Sequence, residues 1–234
     1  MSLPYFFIKD LSNSNTIILP EDTSKHCMQV LRMKEGEQVQ LTDGKGNLAI
    51  ARITSADRRY CSVNVEEKKF EERNSRKISV ALSLLKNQGR FEWFVEKATE
   101  IGISEIIPLI CERTERQHFR WERTYNILVA AMLQSEQVWL PILHEPQPFE
   151  KMVIASAYPQ KLIAYCGEDD NKKDVASIKT KTETQILIGP EGDFTNPEIK
   201  QALTNSYIPV SLGRTRLRSE TAGVVAITLL MNSE

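Results

Sequence analysis

The sequence is poor in the residues that build metal centres and disulfides: four cysteines and three histidines in 234 positions. Cys27, Cys61, Cys111 and Cys166 are widely spaced, with no CxxC pair, so neither a disulfide framework nor a zinc site is expected and no metal is assigned. There is no charge excess either. Thirty Lys and Arg face 31 Asp and Glu, so any polyanionic partner has to meet a local patch. The N-terminal MSLPYFFIKD lacks the basic flank and sustained apolar core of a signal peptide, and no apolar run reaches membrane-spanning length. No membrane association is expected, and a reducing cytoplasm is the expected location. Phosphate-binding loops of the GxxxxGK[ST] or GxGxxG type are missing, as is any Ser-His-Asp or Cys-His set at familiar spacing.

What is present has the composition of a soluble globular protein, 41% hydrophobic and 26% charged, and its pattern changes near residue 75. Before it lie short β-like runs, NTIILP, EQVQLTDGKGNLAIARITS and YCSVNVEEKKF. The cluster Asp43-Gly44-Lys45-Gly46-Asn47 between two of them is a hairpin signal. One helical stretch, SKHCMQVLRMKEG, interrupts them, with Ser24 as its expected cap and Cys27, Met28 and Leu31 on one face. This half reads as a small β-barrel-like domain over residues 1–72, and the polar stretch 66–77 as a linker or edge strand.

Residues 73–234 alternate apolar strands with helices, the pattern of an α/β domain with a mostly parallel sheet. The strands are ISVALSLL, EIIPLI, KLIAYC, TQILI and YIPVSLG. Phe91, Phe94, Val95, Ala98 and Ile101 mark a helix that Gly102 stops. A second helix is expected from Trp121 to Gln137, a third behind Asn196 with Pro197 in its first turn, and a last one capped by Ser219.

Ligands of open α/β sheets bind beyond the C-terminal strand ends, and two such ends are unusual. One is Gly189-Pro190-Glu191-Gly192-Asp193; the other is LGRTRLRSET, residues 212–221. Glycines let a ligand approach the backbone, although an isolated GxxG more often only makes a turn. The carboxylates of Glu191 and Asp193 repel phosphate and suit a neutral or cationic ligand such as a sulfonium. If extended, the second segment places Arg214, Arg216 and Arg218 on one side and Leu217 opposite, a phosphate-backbone contact or simply a solvated run. Lys86 and Arg90 add charge past the first α/β strand, and Lys25, His26, Arg32 and Lys34 cluster around the N-terminal helix.

Together LIGPEGDF and LGRTRLRSETA resemble the paired signature of the RsmE family, the 16S rRNA (uridine-N3) methyltransferases of the SPOUT class. HCMQVLRMKEGEQVQLTDGKG, FVEKATEIGISEIIPL and QSEQVWLPIL are similar to further family segments, in the same order. The resemblance implies a PUA-like RNA-binding β-barrel followed by an α/β domain with a deep trefoil knot. It also implies S-adenosylmethionine as cofactor, small-subunit 16S rRNA as partner, and a homodimer. By motif position Ile188, Gly189, Pro190, Gly192, Leu212, Gly213, Arg216, Leu217 and Arg218 are expected to line the cofactor pocket. His26, Arg32, Lys86, Arg90 and Arg214 are expected to meet RNA, and Arg218 and Glu191 to serve catalysis. The chain departs from the family pattern at Gln137, Asp193 and Thr215. Two rival readings are an RNA-binding relative that has lost catalysis and a small-molecule α/β enzyme using another nucleotide.

Overall fold

The computed structural model describes residues 3–11, 15–57, 59–167 and 171–233. The chain divides into two compact units, one of Met1–Arg73 with Met132–Leu140 and one of Asn74–Ala131 with Pro141–Glu234.

The first unit carries β1 (Tyr5–Phe7), β2 (Thr16–Ile18), α1 (Glu21–Lys25), β3 (Gln38–Thr42), β4 (Asn47–Ser55) and β5 (Ser62–Phe70), with sheet order β1-β3-β4-β5-β2. Alternation along β3 and β4 buries Val39, Leu41, Ala49, Ala51 and Ile53 on one face, where Cys27, Cys61 and Val63 complete the core. The expected hairpin forms: Thr42 pairs with Leu48, and Asp43 Oδ1 accepts the Lys45 N–H at 2.8 Å. Gly46 takes φ 92°, and a Cβ there would stand 2.5 Å from the Trp139 ring, so only glycine fits. The 66–77 stretch is not wholly a linker, since β5 runs through Phe70 and pairs there with Asn47.

The N-terminal helix departs from expectation. It begins at Glu21, behind Pro20, and Ser24 lies buried inside it, donating its hydroxyl to the Leu19 carbonyl at 3.0 Å and accepting from Cys61 N–H at 3.2 Å. A buried hydroxyl satisfied on both sides is a packing element rather than a cap. From His26 to Val30 the helix widens into a π turn, and this rotates Leu31 out to solvent, away from buried Cys27.

The second unit is an eight-stranded sheet of β6 (Lys77–Ser83), β7 (Glu105–Ile110), β8 (Ile142–Leu143), β9 (Gln147–Pro148), β10 (Gln160–Ala164), β11 (Lys173–Asp174), β12 (Glu183–Ile188) and β13 (Ile208–Ser211). Its order is β11-β13-β10-β12-β6-β7-β8, with β9 also on β7, and every pairing is parallel. The helices are α2 (Gln88–Ile101), α3 (Trp121–Gln134), α4 (Phe149–Ala155), α5 (Asn196–Thr204) and α6 (Ser219–Asn232); α3 reaches the first unit at its end. All five strands expected from apolar runs are present. Val80, Leu82, Ile106, Leu162 and Ile186 are fully buried, each side chain stabilising by about 1.5–3 kcal/mol.

Helix ends follow local chemistry. Asn87 caps α2 by accepting the Gly89 N–H, and Gly102, at φ 93°, closes it in the left-handed region. α3 stops at Gln134, short of Gln137, because Glu136 turns left-handed at φ 55° and Gln137 N–H closes back on the Met132 carbonyl at 3.0 Å. The cap of α5 is Thr195. Its hydroxyl and the Glu198 carboxylate satisfy each other's backbone N–H groups in a capping box, with Pro197 in the first turn. Ser219 likewise does not cap α6: it is the first helical residue, and Arg218 occupies the cap position without a side-chain bond.

Candidate active site

After β10 the chain makes short β11 beyond the site of β13, then crosses to β12 on one side of β10 and returns to β13 on the other. This reversal opens a crevice over the C-terminal end of β10, the place where doubly wound sheets bind ligands. A cleft of about 680 Å³ lies there, inside the range of small-molecule sites. Its walls are the ends of three strands and the start of α6: Tyr165 and Cys166, Ile188 to Glu191, and Leu212 to Ser219.

The Gly-Pro-Glu-Gly turn forms one wall. Asp193 N–H bonds the Pro190 carbonyl at 2.9 Å, which closes a four-residue turn. Neither Gly189 nor Gly192 has positive φ; the left-handed residue is Asp193, at φ 65°. Aspartate tolerates that region better than most side chains, and here its carboxylate also fastens the turn. Oδ1 accepts the Phe194 N–H at 2.8 Å and Oδ2 the Cys166 N–H at 2.7 Å, tying the end of β12 to the end of β10. Gly189 is closely packed: a Cβ there would sit 3.1 Å from the Phe194 nitrogen and 3.3 Å from Asp193 Oδ1. Glu191 Oε1 accepts the Lys86 N–H at 3.1 Å and so braces the turn against the end of β6.

The segment after β7 holds the turn from behind. Arg113 Nη1 donates to the Gly192 carbonyl at 2.6 Å, and Glu112 N–H bonds Glu198 Oε1 at 2.9 Å. Gly192 therefore faces Arg113 and is not among the cleft-lining residues. Lys86 also stands outside the lining, its ammonium paired with Glu115 at 2.8 Å, and the Glu115 carboxylate, through that bond, holds the lysine's pKa above its ordinary value.

The arginine segment is a loop, not a strand, so the expected alternation fails: Arg214, Arg216, Leu217 and Arg218 all line the cleft. Gly213, at φ 131°, opens this loop, and a Cβ there would meet no atom within 4 Å. Ile188, Gly189, Pro190, Leu212 and Gly213 line the cleft as the motif positions imply. Arg90 lines it from the first turn of α2. His26 and Arg32 belong to the first unit, where His26 stacks edge-on with Phe6 and Arg32 takes φ 55°.

Sequence reading missed Tyr165, Cys166 and Lys172. Lys172 Nζ lies 3.9 Å from the Tyr165 ring centroid and bonds the Tyr165 carbonyl at 2.6 Å. The strand-end rule that singled out the two motifs applies equally to KLIAYC, and would have found the first two. Glu220 was missed as well. It is buried on α6, one carboxylate oxygen has no hydrogen-bond partner, and the other stands 3.7 Å from Arg90 Nε.

The residues present fit a cofactor held through its polar edges and an apolar body. Ile188, Leu212 and Leu217 offer apolar surface, Gly189 and Gly213 expose backbone, and the arginines and the two turn carboxylates supply polar groups of both signs. An α/β domain with such a cleft at a topological switch point is the class that fold and site define. A family model described as RNA methyltransferase domain matches residues 71–231, and one described as RNA methyltransferase PUA domain matches residues 19–66. The chain belongs to this RNA methyltransferase family, the one named for ribosomal RNA small subunit methyltransferase E. The relative of that name from Synechocystis is 30% identical, covering 91% of this chain and 71% of the relative. The one from Rickettsia conorii is 29% identical over 93% of this chain and 90% of its own. Among solved structures, the Neisseria gonorrhoeae enzyme of the same name, bound to S-adenosylmethionine, superposes with TM-score 0.88 at 26% identity, covering 98% of this chain and 97% of that one.

Proposed function

We propose that this protein transfers a methyl group from S-adenosylmethionine to N3 of a uridine in small-subunit 16S rRNA. The observation that carries the reading is the cleft itself, a pocket at the switch point walled by backbone and apolar side chains, with Arg90, Arg214, Arg216 and Arg218 along it. Its support from relatives is that proteins of this family are named for the small-subunit rRNA reaction and that one was crystallised with the cofactor. Bound there, the cofactor would supply an electrophilic methyl on a sulfonium. Ile188, Gly189, Pro190, Leu212, Gly213, Arg216, Leu217 and Arg218 would hold it.

The chain's own task is alignment and charge control. In the overall reaction the sulfur–methyl bond breaks, the N3–methyl bond forms, and the N3 proton leaves. N3 lies on the Watson–Crick edge, so the target base has to be unpaired or flipped into the cleft. As the proton departs, negative charge grows on the uracil oxygens, and the Arg218 guanidinium at the rim would stabilise it. Glu191 is held by the Lys86 amide, which favours a bracing role over that of a base. Arg90 and Arg214 on the cleft, with Lys86 beside it, would meet the RNA backbone, as would His26 and Arg32 in the first unit.

Residues 1–72 are the RNA-binding domain and 73–234 the methyltransferase domain, its C-terminal loops threaded as a trefoil knot. Two copies form a homodimer, and the protein works in the cytoplasm. Among the described residues no helix is long and apolar enough to cross a membrane. The test is incubation of purified small subunits with labelled cofactor, followed by nucleoside analysis. 3-Methyluridine as the labelled product is expected, and label on any other nucleoside overturns the assignment of N3.

A further inference from the structure

Arg90 occupies an electrostatically awkward place. It lies in the first turn of α2, where the helix dipole disfavours a cation, and that turn holds no acidic residue. Its counterpart is Glu220, in the first turn of α6 and only 6% exposed. One turn along each helix, Phe94 of α2 lies against Gly223 of α6 so closely that a Cβ on the glycine would stand 2.5 Å from the ring. This contact sets the two helices near enough for Arg90 to reach Glu220, so the pairing is built into the packing.

The pair is nevertheless incomplete. Arg90 Nε stands 3.7 Å from Glu220 Oε1, beyond hydrogen-bond distance, and Glu220 Oε2 is buried with no partner at all. Arg90 lines the cleft; Glu220 does not. A carboxylate buried behind a cleft-lining arginine, with one oxygen loosely ion-paired to it and the other without a hydrogen-bond partner, is arranged to accept a two-pronged guanidinium fork.

We propose that Glu220 is a positioning residue for methyl transfer, acting through Arg90. On substrate entry the guanidinium fork closes on Oε1 and Oε2, and the remaining N–H groups are fixed toward the base or phosphate in the cleft. The proposal rests on the reading of the cleft as a methyltransferase site. It assigns Glu220 a role beyond filling space, and it makes the Arg90 geometry dependent on a residue that never touches substrate.

The experiment is single-turnover transfer from labelled S-adenosylmethionine to purified small subunits by wild type, Glu220→Gln, Arg90→Gln and the double variant, with cofactor affinity measured by calorimetry. Glu220→Gln keeps the shape and removes the charge. It is expected to lower the transfer rate at least tenfold while cofactor affinity and melting temperature stay at wild-type values, and the double variant is expected to be no slower than the slower single one. Losses that multiply, or a Glu220→Gln protein at wild-type rate, would overturn the proposal. Should Glu220→Gln fail to fold, Arg90→Lys, altered at a half-exposed position, replaces it: an ammonium keeps the charge but cannot form the fork. The same tenfold loss supports the proposal, and full activity overturns it. Wild-type protein that transfers nothing overturns the underlying functional reading before any variant is compared.

Discussion

Replacing Asp193 by alanine removes two things at once, and the structure lets each be sized. Two hydrogen bonds that the carboxylate accepts from backbone N–H groups, at 2.8 and 2.7 Å, disappear. In this half-buried setting they contribute on the order of 1 kcal/mol each. The φ of 65° is retained, and alanine in the left-handed region costs on the order of 1 kcal/mol, somewhat more than aspartate. The expected loss is therefore about 2–3 kcal/mol. Asp193→Gly loses the same bonds but sits in that region without strain, so it should be the milder change by about 1 kcal/mol. Urea unfolding measures both, with stability ordered Asp, Gly, Ala at unchanged denaturant slope. Cofactor affinity should fall about tenfold in both variants, because the bond to Cys166 N–H couples two walls of the cleft. An alanine variant as stable as the glycine variant would refute the backbone argument. A glycine variant with wild-type stability would refute the role of the carboxylate.

Three further outcomes are expected. Arg218→Ala should lower methyl transfer to small subunits by about 10²-fold or more, the size of an oxyanion-stabilising donor, with the cofactor still bound in calorimetry; unchanged transfer would remove Arg218 from the chemistry. Gly223→Ala places a methyl group 2.5 Å from the Phe94 ring and should cost about 1–3 kcal/mol in chemical unfolding, as overpacked cores do; wild-type stability would show that the α2–α6 contact yields easily. Burial raises the Cys27 and Tyr207 pKa values to about 12 and pushes Cys61, Cys111 and Tyr158 up as well. These groups keep their protons in the fold longer than in the unfolded chain. Their contribution is thus complete below about pH 9 and is lost as pH rises, by about 1.4 kcal/mol per pH unit for each group ionised only when unfolded. Unfolding midpoints that stay flat from pH 9 to 11 would contradict this.

The parallel sheet was legible because its strands are covered on both faces and read as unbroken apolar runs. Short elements were not: β8, β9 and β11 have two residues each, too few to show any period. Helix caps were misread at Ser24 and Ser219 because a hydroxyl near a helix start is only a candidate. Thr195 caps α5 because it completes a capping box with Glu198, a pairing visible in the spacing Thr-x-x-Glu. The two cleft-forming motifs could be found from glycine content and strand ends alone. Gly189 serves close packing rather than unusual φ, Gly213 takes the positive φ that favours glycine, and the left-handed non-glycine residue of the turn is the aspartate that departs from the family pattern. Glu220 could not be found from sequence, since its burial and its distance to Arg90 arise only when α2 packs on α6.

The central claim is that this chain modifies one uridine of 16S rRNA at N3. Its most direct test is mass mapping of 16S rRNA from cells with the gene deleted, beside cells in which wild-type or Arg218→Ala protein is restored. The account predicts that a single 3-methyluridine disappears on deletion, returns with the wild-type protein and does not return with the variant. An unchanged 3-methyluridine signal in the deletion strain would contradict it.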